Sequence, residues 1–375
     1  MGLTSKKLLL LAVVAAIVLF VLTMWLWPRF ARQSVRAWLG RLLLLVLTQF
    51  AVLSVVLLYA NDKFEFYASW DDLFGTEKGE GVVQELGPGG QPVQRTGSEP
   101  LKAPGGQAAA SAGRLESVRI TGATTKIAAN AKVFLPPQYF QKEYAKRDFP
   151  VVLALTGYPG TVDGMINTLG FAESAREKAR QKKMPPTIMV FIRSAATPPR
   201  DTECVNVPGG PQVESFFAKD LPKAISSEYR VRTGAAHWAV TGYSTGGYCA
   251  LMLPMKHPDA FTAGAALSPY FKPKTDDTTG DLFHGDKKLE QSYDLMWRLD
   301  HEPQPPVSLL VTSSKKGEYD YGNTVKFLSK TKEPMRMARM FLDEGGHNFN
   351  TWQREVPGVV QWLGDKLKPG WAEKA

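Results

Sequence analysis

The sequence predicts an α/β fold with a doubly wound, mostly parallel sheet over residues 114–375. Continuous apolar runs such as Val151–Leu155 are typical of parallel strands covered on both faces. Helix-like stretches separate the later runs, and this alternation indicates helices on both faces of the sheet. The first two runs are joined by a short loop, which predicts an antiparallel start. The eight predicted strands lie at 117–121, 131–135, 150–155, 187–193, 237–243, 264–268, 306–312 and 336–342.

Two long apolar runs precede this domain. Residues 8–27 and 42–60 contain no charged side chain, and each run is long enough to cross a hydrocarbon core of roughly 30 Å. The first run exceeds the usual signal-peptide core of about 7–15 residues and is followed by a second run, which favours transmembrane helices over a cleaved signal peptide. We therefore expect residues 1–62 to be a membrane anchor with two transmembrane helices.

The positive charge of the chain is concentrated near its N-terminus. The formal net charge is +9, and residues 1–60 supply six Lys and Arg with no Asp or Glu. The remaining 315 residues therefore carry only +3, because 9 minus 6 is 3. A nearly neutral body argues against nucleic-acid binding, and we expect no nucleic-acid partner.

The distribution of basic residues predicts an orientation for the anchor. Four arginines lie in or beside the loop between the two runs, against two lysines at the N-terminal tip. Because Lys and Arg accumulate on the cytoplasmic side, the loop is expected in the cytoplasm and everything after Tyr59 outside it. The two cysteines, Cys204 and Cys249, would then lie where a disulfide can persist, either bonded or as two separate buried thiols.

Residues 63–113 connect the predicted anchor to the α/β domain. The part up to Phe74 is rich in aromatic and acidic residues, as an interfacial segment would be. From Gly75 to about Gly113 the composition shifts to Gly, Pro, Gln, Ser and Ala. Such a composition buries too little apolar surface to offset the entropy of ordering. We expect a juxtamembrane segment and flexible linker here, followed by one domain at 114–375.

The strongest chemical motif is the G-x-S-x-G sequence centred on Ser244. It lies between a strand-like run at 237–241 and a buried helix-like run at 247–255. A serine at a sharp strand-to-helix turn needs small neighbours, and Gly242 and Gly246 meet that need. The turn also places the hydroxyl at a helix N-terminus, which favours developing negative charge. This context predicts a nucleophile, the alternative being a glycine-rich turn without chemistry.

A serine hydroxyl needs a base, and His347 is the best candidate among the five histidines. It follows the last predicted strand and precedes the final helix, whereas His257 is expected at the surface. In α/β-hydrolases the order is Ser, acid, His, each at the carboxyl end of a strand. The acid should follow the strand at 306–312, where Glu318 and Asp320 both qualify and we favour Glu318.

Two backbone N–H groups are expected to bind the oxyanion. One belongs to Thr245, directly after the nucleophile. The second belongs to the loop after the strand Val151–Leu155, and Tyr158 is our choice, with Gly157 making room. Residues 270–304 form a long polar stretch that is either a cap over the site or a surface excursion.

Five segments together resemble the esterase family that includes esterase D, feruloyl esterases and the actinobacterial mycolyltransferases, within the α/β-hydrolase superfamily. The resemblance implies an eight-stranded α/β-hydrolase core, ester or acyl-transfer chemistry, and oxyanion donors at Tyr158 and Thr245. The chain departs from the family at the usual His-Gly oxyanion dipeptide, which is Thr156-Gly157 here. The segments are Val133–Pro137, the strand ending at Gly157, Asp220–Pro222, Gly242–Gly247 and Glu344–Trp352.

These observations predict a membrane-anchored, extracytoplasmic serine esterase acting on an ester or acyl-lipid substrate. An acyltransferase that moves the acyl group to a sugar or lipid hydroxyl uses the same residues and is the alternative. A membrane-tethered binding protein on the same fold is the third hypothesis. We expect no cofactor, no metal site, no obligate protein partner, and contact with the lipid bilayer through the two N-terminal helices.

Overall fold

The computed structural model describes residues 6–31, 34–64, 70, 92–101, 108–198 and 200–369. The chain divides into two units, Met1–Glu80 and Gly81–Ala375. Parts of the predicted linker at 63–113 lie outside the described residues, namely 65–69, 71–91 and 102–107.

The first unit contains two long helices, α1 (Lys6–Leu26) and α2 (Val35–Phe64). Both are long and apolar enough to cross a membrane, with mean hydropathies of 2.9 for Lys7–Phe30 and 2.5 for Val35–Asn61. The hydroxyls of Thr23 and Thr48 form a hydrogen bond of 2.9 Å between them. Each hydroxyl also lies 2.8 Å from a carbonyl oxygen of its own helix, so whichever hydroxyl donates the bond between them, the other can donate to its own carbonyl.

Within its described part, the second unit contains a nine-stranded sheet in the order β1-β2-β3-β5-β4-β6-β7-β8-β9. Pairing is antiparallel from β1 to β5 and parallel from β5 through β9. All eight predicted strands are present, including the antiparallel start. The strands are β1 (Val93–Pro100), β2 (Arg114–Thr121), β3 (Ala128–Leu135), β4 (Val151–Leu155), β5 (Ile188–Ile192), β6 (Trp238–Tyr243), β7 (Ala263–Leu267), β8 (Ser308–Lys316) and β9 (Arg336–Glu344).

Strand β1 differs from the prediction, because it lies in the range assigned to a linker. Its sequence is polar, and seven of its eight side chains are exposed. It is an edge strand, and it pairs with β2 alone through main-chain hydrogen bonds with a register shift between Arg95 and Gly97. An edge strand held by its backbone needs no alternation of apolar side chains, so the residue pattern carried no sign of it.

Helices cover both faces of the sheet in this unit. The apolar run of β4 is explained by its neighbours, since Val151 and Leu153 belong to one core cluster and Val152 to the other. The α/β-hydrolase prediction is confirmed, with nine strands rather than eight. The α-helices of four or more residues are α3 (Ala109–Ala112), α4 (Phe171–Arg180), α5 (Leu221–Glu228), α6 (Thr245–Lys256), α7 (Lys287–Tyr293), α8 (Leu295–His301), α9 (Tyr321–Lys330) and α10 (Phe349–Lys366).

A disulfide joins Cys204 to Cys249, which decides between the two alternatives left by the sequence. Cys204 lies in the long connection after β5, and Cys249 lies on α6, five residues after Ser244. The bond therefore ties that connection to the helix that begins at Ser244.

Candidate active site

Ser244 occupies the sharp turn between β6 and α6. Its backbone has φ 53° and ψ −118°, an unfavourable conformation for a residue with a side chain. The two motif glycines are required by close approach: a Cβ at Gly246 would lie 2.2 Å from the Leu155 carbonyl oxygen, and one at Gly242 would lie 2.4 Å from the Gly246 carbonyl. The turn thus holds Ser244 at the carboxyl edge of the sheet.

The structure brings Ser244, His347 and Glu318 into one hydrogen-bonded chain. His347 Nε2 lies 2.9 Å from Ser244 Oγ, and His347 Nδ1 lies 3.0 Å from Glu318 Oε1. With the proton on Nδ1, the imidazole donates to Glu318 and accepts from the serine hydroxyl. Proton transfer from serine to a positioned imidazole is what activates this nucleophile in acyl transfer.

Glu318 rather than Asp320 contacts the imidazole. The Glu318 side chain is almost fully buried in the loop after β8. Asp320 accepts a hydrogen bond of 2.7 Å from the Asn323 amide instead. Burial raises the pKa of Asp320, the Asn323 hydrogen bond lowers it, and the charge of Glu318 raises it further.

Aromatic rings surround the imidazole of His347. The Trp352 ring meets it edge-on at 5.1 Å between ring centroids, and Tyr319 lies at 5.4 Å. Trp352 is fixed in turn, because its Nε1 donates to Ser268 Oγ at 3.0 Å. The imidazole is therefore confined by packing as well as by its two hydrogen bonds. Trp352 and His347 lie in a segment that supports the family resemblance. Ser268 lies in no recognisable motif, so its contact with Trp352 could not be predicted from the sequence.

The predicted oxyanion loop lies directly against Ser244. A Cβ at Gly157 would lie 3.2 Å from Ser244 Cβ, so only glycine allows this approach without displacement. Tyr158 follows at once. Thr245 is the first residue of α6, and N–H groups of a first helical turn have no acceptor within the helix. Both predicted donors therefore belong to segments that adjoin Ser244.

Two of the other histidines have hydrogen-bond partners away from Ser244. His237 Nδ1 lies 2.7 Å from the Lys368 carbonyl oxygen, and His257 Nε2 lies 2.7 Å from Glu214. The expectation that His257 is a surface residue was wrong, because it belongs to a mostly buried ionic cluster. Burial alone would raise the pKa of Glu214, but the hydrogen bond from His257 and the charge of Lys256 bring it down to about 2.

Two buried carboxyl groups near the site carry no motif and were not identified from the sequence. Glu203 accepts from the Tyr270 hydroxyl, and burial together with the charge of Asp201 raises the pKa of Glu203 to about 8. Glu355 lies on α10, where burial raises its pKa to about 7. Helical spacing offered a signal for Glu355, because it falls on the same face as Trp352 and Val359.

Residues 270–304 form one wall of a cavity of about 970 Å³ that extends to the loop of Glu318. Tyr319 links the cavity to the site, because its ring packs on His347 and its hydroxyl accepts from Lys274 Nζ at 3.2 Å. The lining is mixed in charge and includes aromatic rings. It comprises Tyr270–Asp276, Phe283, Lys287, Glu290, Gln291, Asp294, Met296, Tyr319, Asp320, Asn323 and Lys326.

Among the residues that the structure describes, no group of three or more His, Cys, Asp or Glu side chains has an arrangement that could hold a metal ion.

Several solved structures share this fold. An S-formylglutathione hydrolase from Agrobacterium tumefaciens superposes with a TM-score of 0.54 at 17% identity, covering 68% of this chain and 96% of that one. The fluorophosphonate-binding serine hydrolase F of Staphylococcus aureus gives 0.53 at 15% identity, covering 67% and 98%. MPT51 of Mycobacterium tuberculosis gives 0.51 at 13% identity, covering 68% and 99%.

Sequence comparison identifies the family. An uncharacterized protein of Corynebacterium glutamicum is 22% identical over 257 residues, covering 63% of this chain and 57% of the relative. The chain thus spans little more than half the length of this relative. The family model named Esterase, described as "Putative esterase", matches residues 122–363, which include Ser244, Glu318 and His347. The chain belongs to this Esterase family and has its α/β-hydrolase fold.

Proposed function

We propose that the chain is a membrane-anchored serine esterase whose catalytic domain lies outside the cytoplasm. Ser244 is the nucleophile, His347 the base and Glu318 the acid of its triad. One observation carries the proposal: the hydrogen-bonded path from Ser244 Oγ through both imidazole nitrogens to Glu318, with distances of 2.9 and 3.0 Å. Family membership supports the same chemistry.

The reaction would proceed through an acyl-enzyme. Ser244 Oγ attacks the ester carbonyl carbon while His347 Nε2 takes the hydroxyl proton. The backbone N–H groups of Tyr158 and Thr245 donate to the oxyanion that forms on the carbonyl oxygen. His347 then gives its proton to the departing alcohol oxygen, which leaves the acyl group on Ser244. Water, deprotonated by His347, attacks this ester, and the acid leaves as Ser244 recovers its proton.

Three observations support the location. The first unit contains two helices of membrane-spanning length and hydropathy. Arginines are concentrated in and beside the loop between them, which favours a cytoplasmic loop and an external domain. The disulfide between Cys204 and Cys249 is of a kind that persists mainly outside the cytoplasm.

Transfer of the acyl group to a hydroxyl other than water is the second candidate function. The cavity of about 970 Å³ favours it, because Tyr319 both lines this cavity and packs on the His347 ring. The lining combines aromatic rings with carboxylate, amide and ammonium groups, a mixture that suits a polar hydroxyl-bearing acceptor such as a sugar or lipid headgroup.

The central test is turnover of a short-chain aryl ester by the purified chain and by Ser244→Ala. We expect the variant to lose roughly 10⁶-fold in kcat, the size of loss seen when a triad nucleophile is removed. Its melting temperature should stay close to that of the wild type. A folded wild-type protein without turnover would contradict the esterase and favour the binding-protein hypothesis.

The same assay separates hydrolysis from transfer when candidate sugar or lipid alcohols are added. An esterase releases the free acid at an unchanged rate, whereas a transferase forms the new ester at the expense of the acid. Ser244→Ala should form neither product. Any ester that appears with this variant measures the uncatalysed transfer to the added alcohol.

A further inference from the structure

Glu355 is a buried carboxyl group for which the reaction above has no role. It lies on α10 and has no solvent-exposed surface. Thr312 Oγ1 donates to Glu355 Oε2 at 2.6 Å. The same Thr312 hydroxyl accepts from the Ser268 backbone N–H at 3.3 Å, and Ser268 Oγ accepts from Trp352 Nε1. Glu355 therefore anchors a polar network that ends at the ring confining His347.

A second relationship connects Glu355 to the triad acid. Glu318 uses Oε1 for His347, while its buried Oε2 has no hydrogen-bond partner among the described residues. Glu355 Oε1 is likewise buried and without a partner within the described chain. The two carboxyl groups lie close enough for the charge of Glu318 to act on Glu355. Like charges buried together are unfavourable, so the charge of Glu318 favours a neutral Glu355.

The surroundings of Glu355 favour its neutral, protonated form. Burial, opposed by the Thr312 hydrogen bond and assisted by the charge of Glu318, raises the pKa of Glu355 to about 7. His347 lies beyond Glu318 in the β9–α10 loop, and Arg354, which lowers the pKa of Glu355, donates to the Glu344 carbonyl oxygen.

We propose that Glu355 is a positioning residue of the triad that acts as a neutral carboxylic acid. In this form it places no second negative charge beside Glu318 and holds Thr312 and Ser268 under Trp352. Glu318 then carries the charge that orients His347. When Glu355 loses its proton, repulsion between the two carboxylates displaces Glu318 from Nδ1. The inference rests on the proposed triad. It adds the requirement that Glu355 stays protonated during turnover.

The test compares Glu355→Gln, Glu355→Ala and wild type in kcat and KM across pH. An amide keeps the neutral charge, the shape and a donor, so Glu355→Gln should retain most of the activity. Glu355→Ala should lose up to about 10²-fold in kcat with little change in KM, the loss that a displacement of about 1 Å can cause. Wild-type kcat should fall above about pH 7, as Glu355 ionises, and that decline should be absent in Glu355→Gln.

Glu214→Gln serves as the matched control, because Glu214 is also buried but lies in the cluster with His257 and Lys256. It should alter the melting temperature without altering the pH profile of kcat. If Glu355→Gln is as inactive as Glu355→Ala, the proposal is overturned, because a negative charge would then be required at this position. A pH profile shared by wild type and Glu355→Gln would also overturn it. A wild type without turnover would instead refute the esterase itself, so the two failures are distinguishable.

Discussion

At the scale of single residues, the chemistry of Ser244 depends on the atoms placed around it. A free serine hydroxyl is a weak nucleophile, and its reactivity comes from an imidazole within hydrogen-bonding distance. Here Nε2 lies 2.9 Å away, and the opposite nitrogen is held by Glu318. Trp352 and Tyr319 restrict the ring from two sides. In the proposed reaction the imidazole would therefore need little reorganisation before proton transfer.

Exchange of the two neighbouring carboxylates for amides tests the role of Glu318. Glu318→Gln should reduce kcat by about 10⁴-fold, as loss of the charge that fixes the histidine tautomer does in other triads. Asp320→Asn is the matched control, and it should reduce kcat by less than about tenfold, because Asp320 bonds to Asn323. The measurement is kcat for a short-chain aryl ester. Equal losses, or a larger loss in Asp320→Asn, would contradict the assignment.

The sequence could predict some of these residues and not others. Ser244 could be predicted because the glycines on either side of it are needed where two backbone segments pass close together. His347 could be predicted because it directly follows the last strand. The choice between Glu318 and Asp320 depends on the path of one loop, which residue types do not determine. Glu203 and Glu355 could not be assigned a role, because the unusual state of each arises from burial by distant segments.

At the scale of elements, the connection after β5 is held in an unusual conformation beside α6. Glu203 and Cys204 both have positive φ values, 49° and 56°, which side chains rarely adopt. The disulfide to Cys249 and the hydrogen bond from Tyr270 to Glu203 offset that cost. Tyr270 also contacts Thr245 through its hydroxyl. The connection therefore packs against and supports the first residue of α6.

The buried carboxyl of Glu203 should make the stability of this domain depend on pH. Burial raises its pKa from 4.5 to about 8, so the folded chain binds this proton more tightly than the unfolded chain does. The stabilisation is complete below about pH 4.5 and is lost as pH rises toward 8. Glu203→Gln should weaken the decline in melting temperature between about pH 5 and 8.5.

The exposed Glu344→Gln is the control for this experiment, and it should keep the wild-type decline. Asp201 and Glu355, whose pKa values burial also raises, remain in the variant, so part of the decline persists. The same decline in Glu203→Gln as in wild type would show that Glu203 is already ionised in the folded protein.

Elements differed in how well the sequence predicted them. The parallel strands were predictable, because burial on both faces requires continuous apolar residues. Strand β1 was not, because seven of its eight side chains are exposed and its main-chain pairing with β2 requires no alternation of apolar residues.

At the scale of the whole molecule, two apolar helices precede a domain of the Esterase family. The proposed orientation is based on the four arginines in and beside the loop between the helices. Protease added to intact cells or spheroplasts should therefore digest a C-terminally tagged chain down to its anchor. A cytoplasmic marker protein, which must survive, controls for lysis. Complete protection of the catalytic domain would reverse the orientation.

The proposed enzyme requires Ser244 to act as nucleophile and His347 as its base. Both roles are measured by labelling with a fluorophosphonate probe, with the adduct located by mass spectrometry. We predict a single adduct on the peptide that contains Ser244 in wild type, no adduct in Ser244→Ala, and labelling slowed by at least about 10³-fold in folded His347→Ala. Labelling of His347→Ala at the wild-type rate, or no labelling of folded wild type, would contradict the account.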